Sequence, residues 1–209
     1  TEPAANFGVL DQAFIDAAVA AGHEHIDDFN GPCRTGVARV DSTVSKGVRQ
    51  SSAIAYLDRK FSNLALLTNR QVARVRIKNG RAHAVETVSG EVISARQEII
   101  LCQGAFGTPQ LLMLSGIGPA EHLRDHGIAP IVDLPGVGEN LADHVDVSIQ
   151  YGSHFAELSH ARHQRLDRAA MLMGRWLMNG SGPGGGSLFS VVLFNAAGDK
   201  ELPEMQVFM

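Results

Sequence analysis

The sequence predicts an α/β fold, mixed α+β when all its elements are counted, and three observations carry that expectation. The apolar run Ile99-Ile100-Leu101 leads through Gly104 into a helix-forming stretch that ends by Gly118, the strand–glycine turn–helix succession of nucleotide-binding α/β proteins. Asn79-Gly80 separates two runs of β-forming residues and is the strongest short-range hairpin signal in the chain. Past residue 144, Val145, Val147, Ile149 and Tyr151 alternate with Asp146, Ser148 and Gln150, the period of a half-buried antiparallel strand. The expected order is therefore a nucleotide-type α/β part with a β-meander over residues 1–144, then an antiparallel-sheet part over residues 145–209.

From the N-terminus, Leu10, Phe14, Ile15 and Ala18 recur at helical spacing until Gly22 stops them. Residues 31–50 are rich in Gly, Ser and Thr and read as loop, and Ser51–Arg59 reads as a short helix. Strands are expected at Leu64–Thr68 and Val72–Ile77. After the Asn79-Gly80 turn the chain returns through His83–Val88, turns again at Ser89-Gly90 into Val92–Ser94, and feeds a core strand at Glu98–Cys102. In the block GAFGTPQLLMLSGIG, Thr108 is expected to cap a helix with Pro109 at its first position. Leu111, Leu112 and Leu114 would form its apolar face, and Gly116 would close it. Pro119–His126 is a second short helix stopped by Gly127. Leu166, Ala169, Leu172, Met173, Trp176 and Leu177 mark an amphipathic helix ended by Gly180, and Gly180–Ser187 reads as a mobile loop. Leu188–Phe194 and Met205–Met209 close the chain as strands.

Apolar residues make up 44% and charged residues 19%, enough to bury a core and too little charge for a disordered chain. A net charge of −4 with scattered Lys and Arg leaves no basic patch, so nucleic acid is not an expected partner. No apolar run approaches the roughly 18 residues of a membrane-spanning helix. The compartment is not fixed by the sequence, the cytoplasm being the expected one. Cys33 and Cys102 are far apart in unlike settings, which fits two buried or partly buried thiols better than a disulfide framework.

The Gly104–Gly118 block resembles the second signature of the glucose-methanol-choline (GMC) family of FAD-dependent oxidoreductases: small residues at Gly104-Ala105, then Thr108-Pro109, Leu111-Leu112 and Ser115-Gly116-Ile117-Gly118. The likeness extends along the chain. Asp28–Gly31, the stretch from Lys46 to Asp58, the strand pair from Asn63 to Ile77, and DLPGVGENLADH from Asp133 to His144 are each similar to a family segment, with Ala142 where Gln is usual. The wording is nearest to the choline-dehydrogenase-like branch. Two family features do not occur here: the Gly-x-Gly-x-x-Gly turn, since neither Gly116-Ile117-Gly118 nor Gly136-Val137-Gly138 supplies the third glycine, and the C-terminal segment with the catalytic His and its partner. An internal fragment is expected, with its catalytic base beyond Met209 and inactive alone.

The resemblance implies part of an FAD-binding Rossmann-like domain, with some substrate-domain elements near the N-terminus, followed by part of a substrate-binding domain. It implies hydride transfer from an alcohol to flavin, giving an aldehyde or ketone, with oxygen or another acceptor reoxidising the flavin and the remainder of the enzyme as partner. In such proteins a valine placed like Val72 presents its backbone to the adenine of FAD; by itself, a valine in a strand is ordinary core. Gln103, Gly104 and Ala105 lie where a strand end lets backbone approach a dinucleotide, although relatives mostly carry a small residue at Gln103. Asn140, Asp143 and His144 read first as a turn that satisfies its own loop. His122 and His126, at i and i+4, and His23-Glu24-His25 with Asp27 and Asp28 lack a third ligand at a recognised spacing, so no metal is expected. Alternatives are a hydroxynitrile lyase of the same fold and a flavin-free, inactive binding module.

Overall fold

The structure, a computed structural model, describes residues 2–4, 7–58, 61–152, 154–155, 165–182, 185–186, 189–196 and 202–209. In chain order the elements are β1 (Glu2–Pro3), α1 (Val9–Ala20), β2 (Gly36–Arg39), β3 (Asp41–Ser42), β4 (Val44–Ser45) and β5 (Val48–Arg49), then a single wide π-type turn at Ala53–Leu57. There follow β6 (Val72–Lys78), β7 (Arg81–Thr87), β8 (Val92–Ser94), α2 (Gly104–Leu114), β9 (Ile117–Gly118), α3 (Ala120–Asp125) and β10 (Val132–Asp133). The last are α4 (Leu166–Asn179), β11 (Val191–Asn195) and β12 (Met205–Phe208). This is the mixed α/β composition expected, with ladders that are antiparallel except for the β9–β10 pair among the named strands. The chain divides into two compact units, Thr1–Ser62 with Gln150–Met209, and Asn63–Ile149.

In the first unit, β2, β11 and β12 form an antiparallel sheet in the order β12-β11-β2. Helix α1 lies against it, burying Ile15 and Ala18 against Val37, Val191 and Leu193, with Phe7, Phe14 and Val207 around them. Burial of each Ile, Val or Leu side chain here contributes roughly 1.5–3 kcal/mol. The loop expected at residues 31–50 contains β2 instead. Gly36–Arg39 is too short to show an alternating pattern, and it becomes a strand because β11 supplies its partner, Val37 opposite Leu193. The helix expected at Ser51–Arg59 is only the Ala53–Leu57 turn, with Arg59 outside the described residues. Helix α4 forms as expected and ends at Gly180, yet buries no side chain. Of the stretch expected to be a mobile loop, Gly185 is buried, and residues 183, 184 and 187 lie outside the described residues.

In the second unit, β6, β7 and β8 make the expected meander, turning through Asn79-Gly80, both with positive φ (51° and 72°) as a tight hairpin turn requires. Val75 and Ala84 form its buried face, and α2 lies on β6 with Leu111 buried. The start of α2 corrects the expectation. Thr108 does not cap it and Pro109 is internal, because the helix begins four residues earlier at Gly104. Leu114 is exposed, leaving Leu111 as the buried residue of the face. Three expected strands, Leu64–Thr68, Glu98–Cys102 and Val145–Tyr151, are not strands: no described residue pairs with them, so their backbones lack the ladder that defines a strand. Ile100, Val145 and Tyr151 are accordingly exposed, and Cys102 is exposed rather than packed, whereas Cys33 is half-buried.

Candidate functional site

The site residues singled out in the sequence fall in the second unit, on the outer edge of β6 and at the start of α2. Among the described residues strand β6 is an edge strand, paired only with β7. The Gln71 carbonyl accepts the Val88 N–H at 2.9 Å. Thr87, opposite Val72, directs both backbone groups to the far side: its N–H to the Glu91 carbonyl (2.9 Å) and its carbonyl to the Gly90 N–H (2.9 Å). Residues opposed in an antiparallel ladder turn these groups either both toward each other or both away. The N–H and C=O of Val72 therefore face out of the open edge of the sheet, and its side chain is half-buried. This leaves a donor and an acceptor side by side on the strand edge.

Gln103, Gly104 and Ala105 are exposed at the N-terminus of α2. Gly104 has φ +77°, and nothing lies within 4 Å of where a Cβ would stand, so its backbone can be approached closely. The Gln103 N–H donates to Thr108 Oγ1 at 3.2 Å. The Cβ of Gln103 stands close to Gly107, 2.7 Å from where a Cβ on that glycine would be. The first N–H groups of an α-helix have no partners within the helix, and the helix dipole favours an anion beside them. Among the described residues no hydrogen bond joins Val72 to Gln103, Gly104 or Ala105.

Two features of this unit were missed in the sequence. The first is a charge cluster on the exposed face of the meander: Arg74 donates to both oxygens of Glu86 (2.9 and 3.0 Å), and Arg76 Nε donates to Oε2 (2.8 Å). These hydrogen bonds, from Arg74 first and then Arg76, hold the Glu86 carboxyl below the usual carboxylate range and raise Arg74. Only the alternation Arg74-Val75-Arg76 hinted at it. The second is Ser115, a buried polar residue at the end of α2, whose hydroxyl donates to the Leu111 carbonyl (2.6 Å) and accepts the Val75 N–H (2.8 Å). An open groove of about 630 Å³ runs along the same strand, lined by Arg74, Lys78, His83, Leu114, Gly116 and Ile131 among others.

The remaining candidates stay apart. Asp143 and His144 are almost fully exposed, their contacts being His144 N–H to Asp143 Oδ1 at 2.7 Å and Nδ1 to the same oxygen at 3.7 Å. Asn140 turns the loop with φ +57°. The His122 and His126 rings meet edge to face at 4.6 Å on α3. Among the described residues no three His, Cys, Asp or Glu side chains gather closely enough to hold a metal. In the first unit, His23 and Glu24 line a shallow cleft of about 310 Å³ with Gly36 and Phe194, and the Cys33 thiol lies 3.8 Å from Glu24 Oε2. No helix among the described residues is long and apolar enough to cross a membrane.

Comparison with known proteins gives these features a context. The sequence profile of the family described as GMC oxidoreductase matches residues 2–146. The chain is 42% identical over 190 residues to an oxygen-dependent choline dehydrogenase of Photobacterium profundum, covering 88% of this chain and 33% of that protein. Among solved structures it is similar to pyridoxine 4-oxidase from Mesorbium loti, with 31% identity and a TM-score of 0.58 over 64% of this chain and 27% of that one. It shares its fold with an FAD-dependent oxidoreductase from Chaetomium thermophilum, at a TM-score of 0.74 and 23% identity over 92% of this chain and 35% of that one. The chain spans about a third of the length of the curated relatives it matches.

Proposed function

Because the chain belongs to the GMC oxidoreductase family, we propose that it carries the FAD-contacting segments of a flavoenzyme that oxidises an alcohol to an aldehyde or ketone. The observation that carries this reading is the outward-facing backbone of Val72. It offers one donor and one acceptor on the outer edge of β6, the complement of an adenine edge. The open backbone of Gly104 and the N-terminal turn of α2 fit the same cofactor, since a Cβ there would meet no neighbour and unpartnered N–H groups suit an anionic group. On this reading Val72 binds the adenine, and Gly104 and Ala105 let backbone approach the dinucleotide. Gln103 contributes backbone on the same reading.

When bound, FAD supplies the hydride acceptor. The residues of this chain bind and orient it; none is assigned the base that takes the hydroxyl proton, which on this reading comes from a later segment of the enzyme. The relatives named for choline and oxygen make an amino alcohol the first substrate to try and oxygen the first acceptor. The test is anaerobic addition of alcohols to the FAD-loaded protein that contains this chain and that later segment. Bleaching of the visible flavin absorption, with aldehyde or ketone formed in equal amount, is the expected result. Unbleached flavin together with cleavage of a cyanohydrin would replace the reading with that of a lyase.

A further inference from the structure

We propose that Ser115 is the positioning residue that sets the signature helix on the β-meander and so fixes where the two cofactor-contacting backbones stand; this rests on the FAD reading above. Ser115 is 5% exposed, and its hydroxyl makes two hydrogen bonds: it donates to the Leu111 carbonyl in the last turn of α2 and accepts the Val75 N–H in the middle of β6. Val75 is the outward-facing residue that follows Val72 on the same strand edge, past the irregularity between Val72 and Arg74. The hydroxyl thus ties the end of α2 to the edge from which Val72 projects.

The same point anchors the segment downstream of the helix. The Gly116 carbonyl accepts the N–H groups of Ile131 (2.7 Å) and Val132 (3.1 Å), and Ile117 and Gly118 pair with β10. Helix α2 is therefore held at its C-terminal end, while Gly104 stands at the other end of eleven residues, roughly 16 Å away at 1.5 Å per residue. A tilt of about 4° at the anchor moves that end by roughly 1 Å, enough to spoil a backbone contact with a ligand. Alanine at position 115 would leave the Val75 N–H without its acceptor beside the Val72 edge.

The test compares wild type with Ser115→Ala and the near-isosteric Ser115→Cys, at a temperature where each is fully folded by circular dichroism. Val191→Ala, a core change in the other unit, controls for lost stability. Two quantities are read: hydrogen exchange of the Val75 amide without cofactor, and the Kd for FAD by titration. The expected result is at least tenfold faster exchange at Val75 and an FAD Kd raised about tenfold in Ser115→Ala, with Ser115→Cys between it and wild type. Val191→Ala lowers the unfolding midpoint and leaves the Kd unchanged. An FAD Kd within twofold of wild type in both Ser115 variants overturns the role of Ser115 and leaves the FAD reading standing. Equal loss in Val191→Ala reduces Ser115 to a stability residue. A wild type that takes up no FAD overturns the FAD reading, and this inference with it.

Discussion

Helices α2 and α4 are similar in length and opposite in attachment. Helix α2 is rich in apolar residues on all sides, yet it is fastened at two points: Leu111 is buried, and the Ser115 hydroxyl at its end bonds to the backbone of β6. Helix α4 separates its apolar and charged residues, with Leu166, Met173 and Leu177 on one stripe and Arg168 and Arg175 opposite, and it buries no side chain. Its fixed contacts are polar: Trp176 Nε1 donates to the Gly47 carbonyl at 2.7 Å, and Arg175 Nε to Ser181 Oγ at 3.0 Å. An amphipathic stripe thus declares which face a helix has to cover and says nothing of whether a partner covers it. One buried hydroxyl with two bonds gives α2 a definite position that its own pattern does not.

The contrast is open to substitution. Leu111→Ala, which removes the buried side chain of α2, is expected to cost about 2–5 kcal/mol in urea unfolding; a cost below about 1 kcal/mol would show that α2 is not held by packing. Ser115→Ala comes next, at about 1–3 kcal/mol, because it strands a buried N–H. On α4, Leu177→Ala is expected to change stability by no more than about 0.5 kcal/mol, as for exposed sites generally. A loss as large as that of Leu111→Ala would mean that the α4 stripe is covered in solution.

The smallest effect concerns the face of the meander opposite α2. The folded carboxyl of Glu86 titrates below its unfolded value, near 4.3 for a free glutamate, because Arg74 and Arg76 hydrogen-bond to it. That stabilisation is present above the unfolded value and is lost as pH falls through the folded one. Glu86→Gln should therefore differ slightly from wild type at neutral pH, and the difference should shrink on acidification. A difference that grows toward acid would contradict the sign.

How much of this was legible in the sequence depended on distance along the chain. Asn79-Gly80, Gly127 and Gly180 announce turns and helix ends through their own backbone conformations, and each stands where expected. Strand β2 was hidden because Gly36–Arg39 is four residues long and its partner β11 lies far downstream. Glu98–Cys102 and Val145–Tyr151 carry strand patterns without a described partner, so their pattern outran their structure. The early start of α2 was missed because Pro109 looked like a first helical position, when the turn before it was already helical. At the site, Val72 stood out only through the family resemblance. In the sequence Ser115 is one letter of a motif, since its bond to Val75 is set by tertiary packing.

The most direct test of the cofactor reading is the visible absorption spectrum of the purified protein that contains this chain, with and without added FAD, after gel filtration. A resolved flavin band that travels with the protein, and is lost in Gly104→Val where a side chain would bar the backbone, is the expected result. A colourless protein at every FAD concentration would contradict it, and Val72 and Gly104 would then not form a flavin site in this chain.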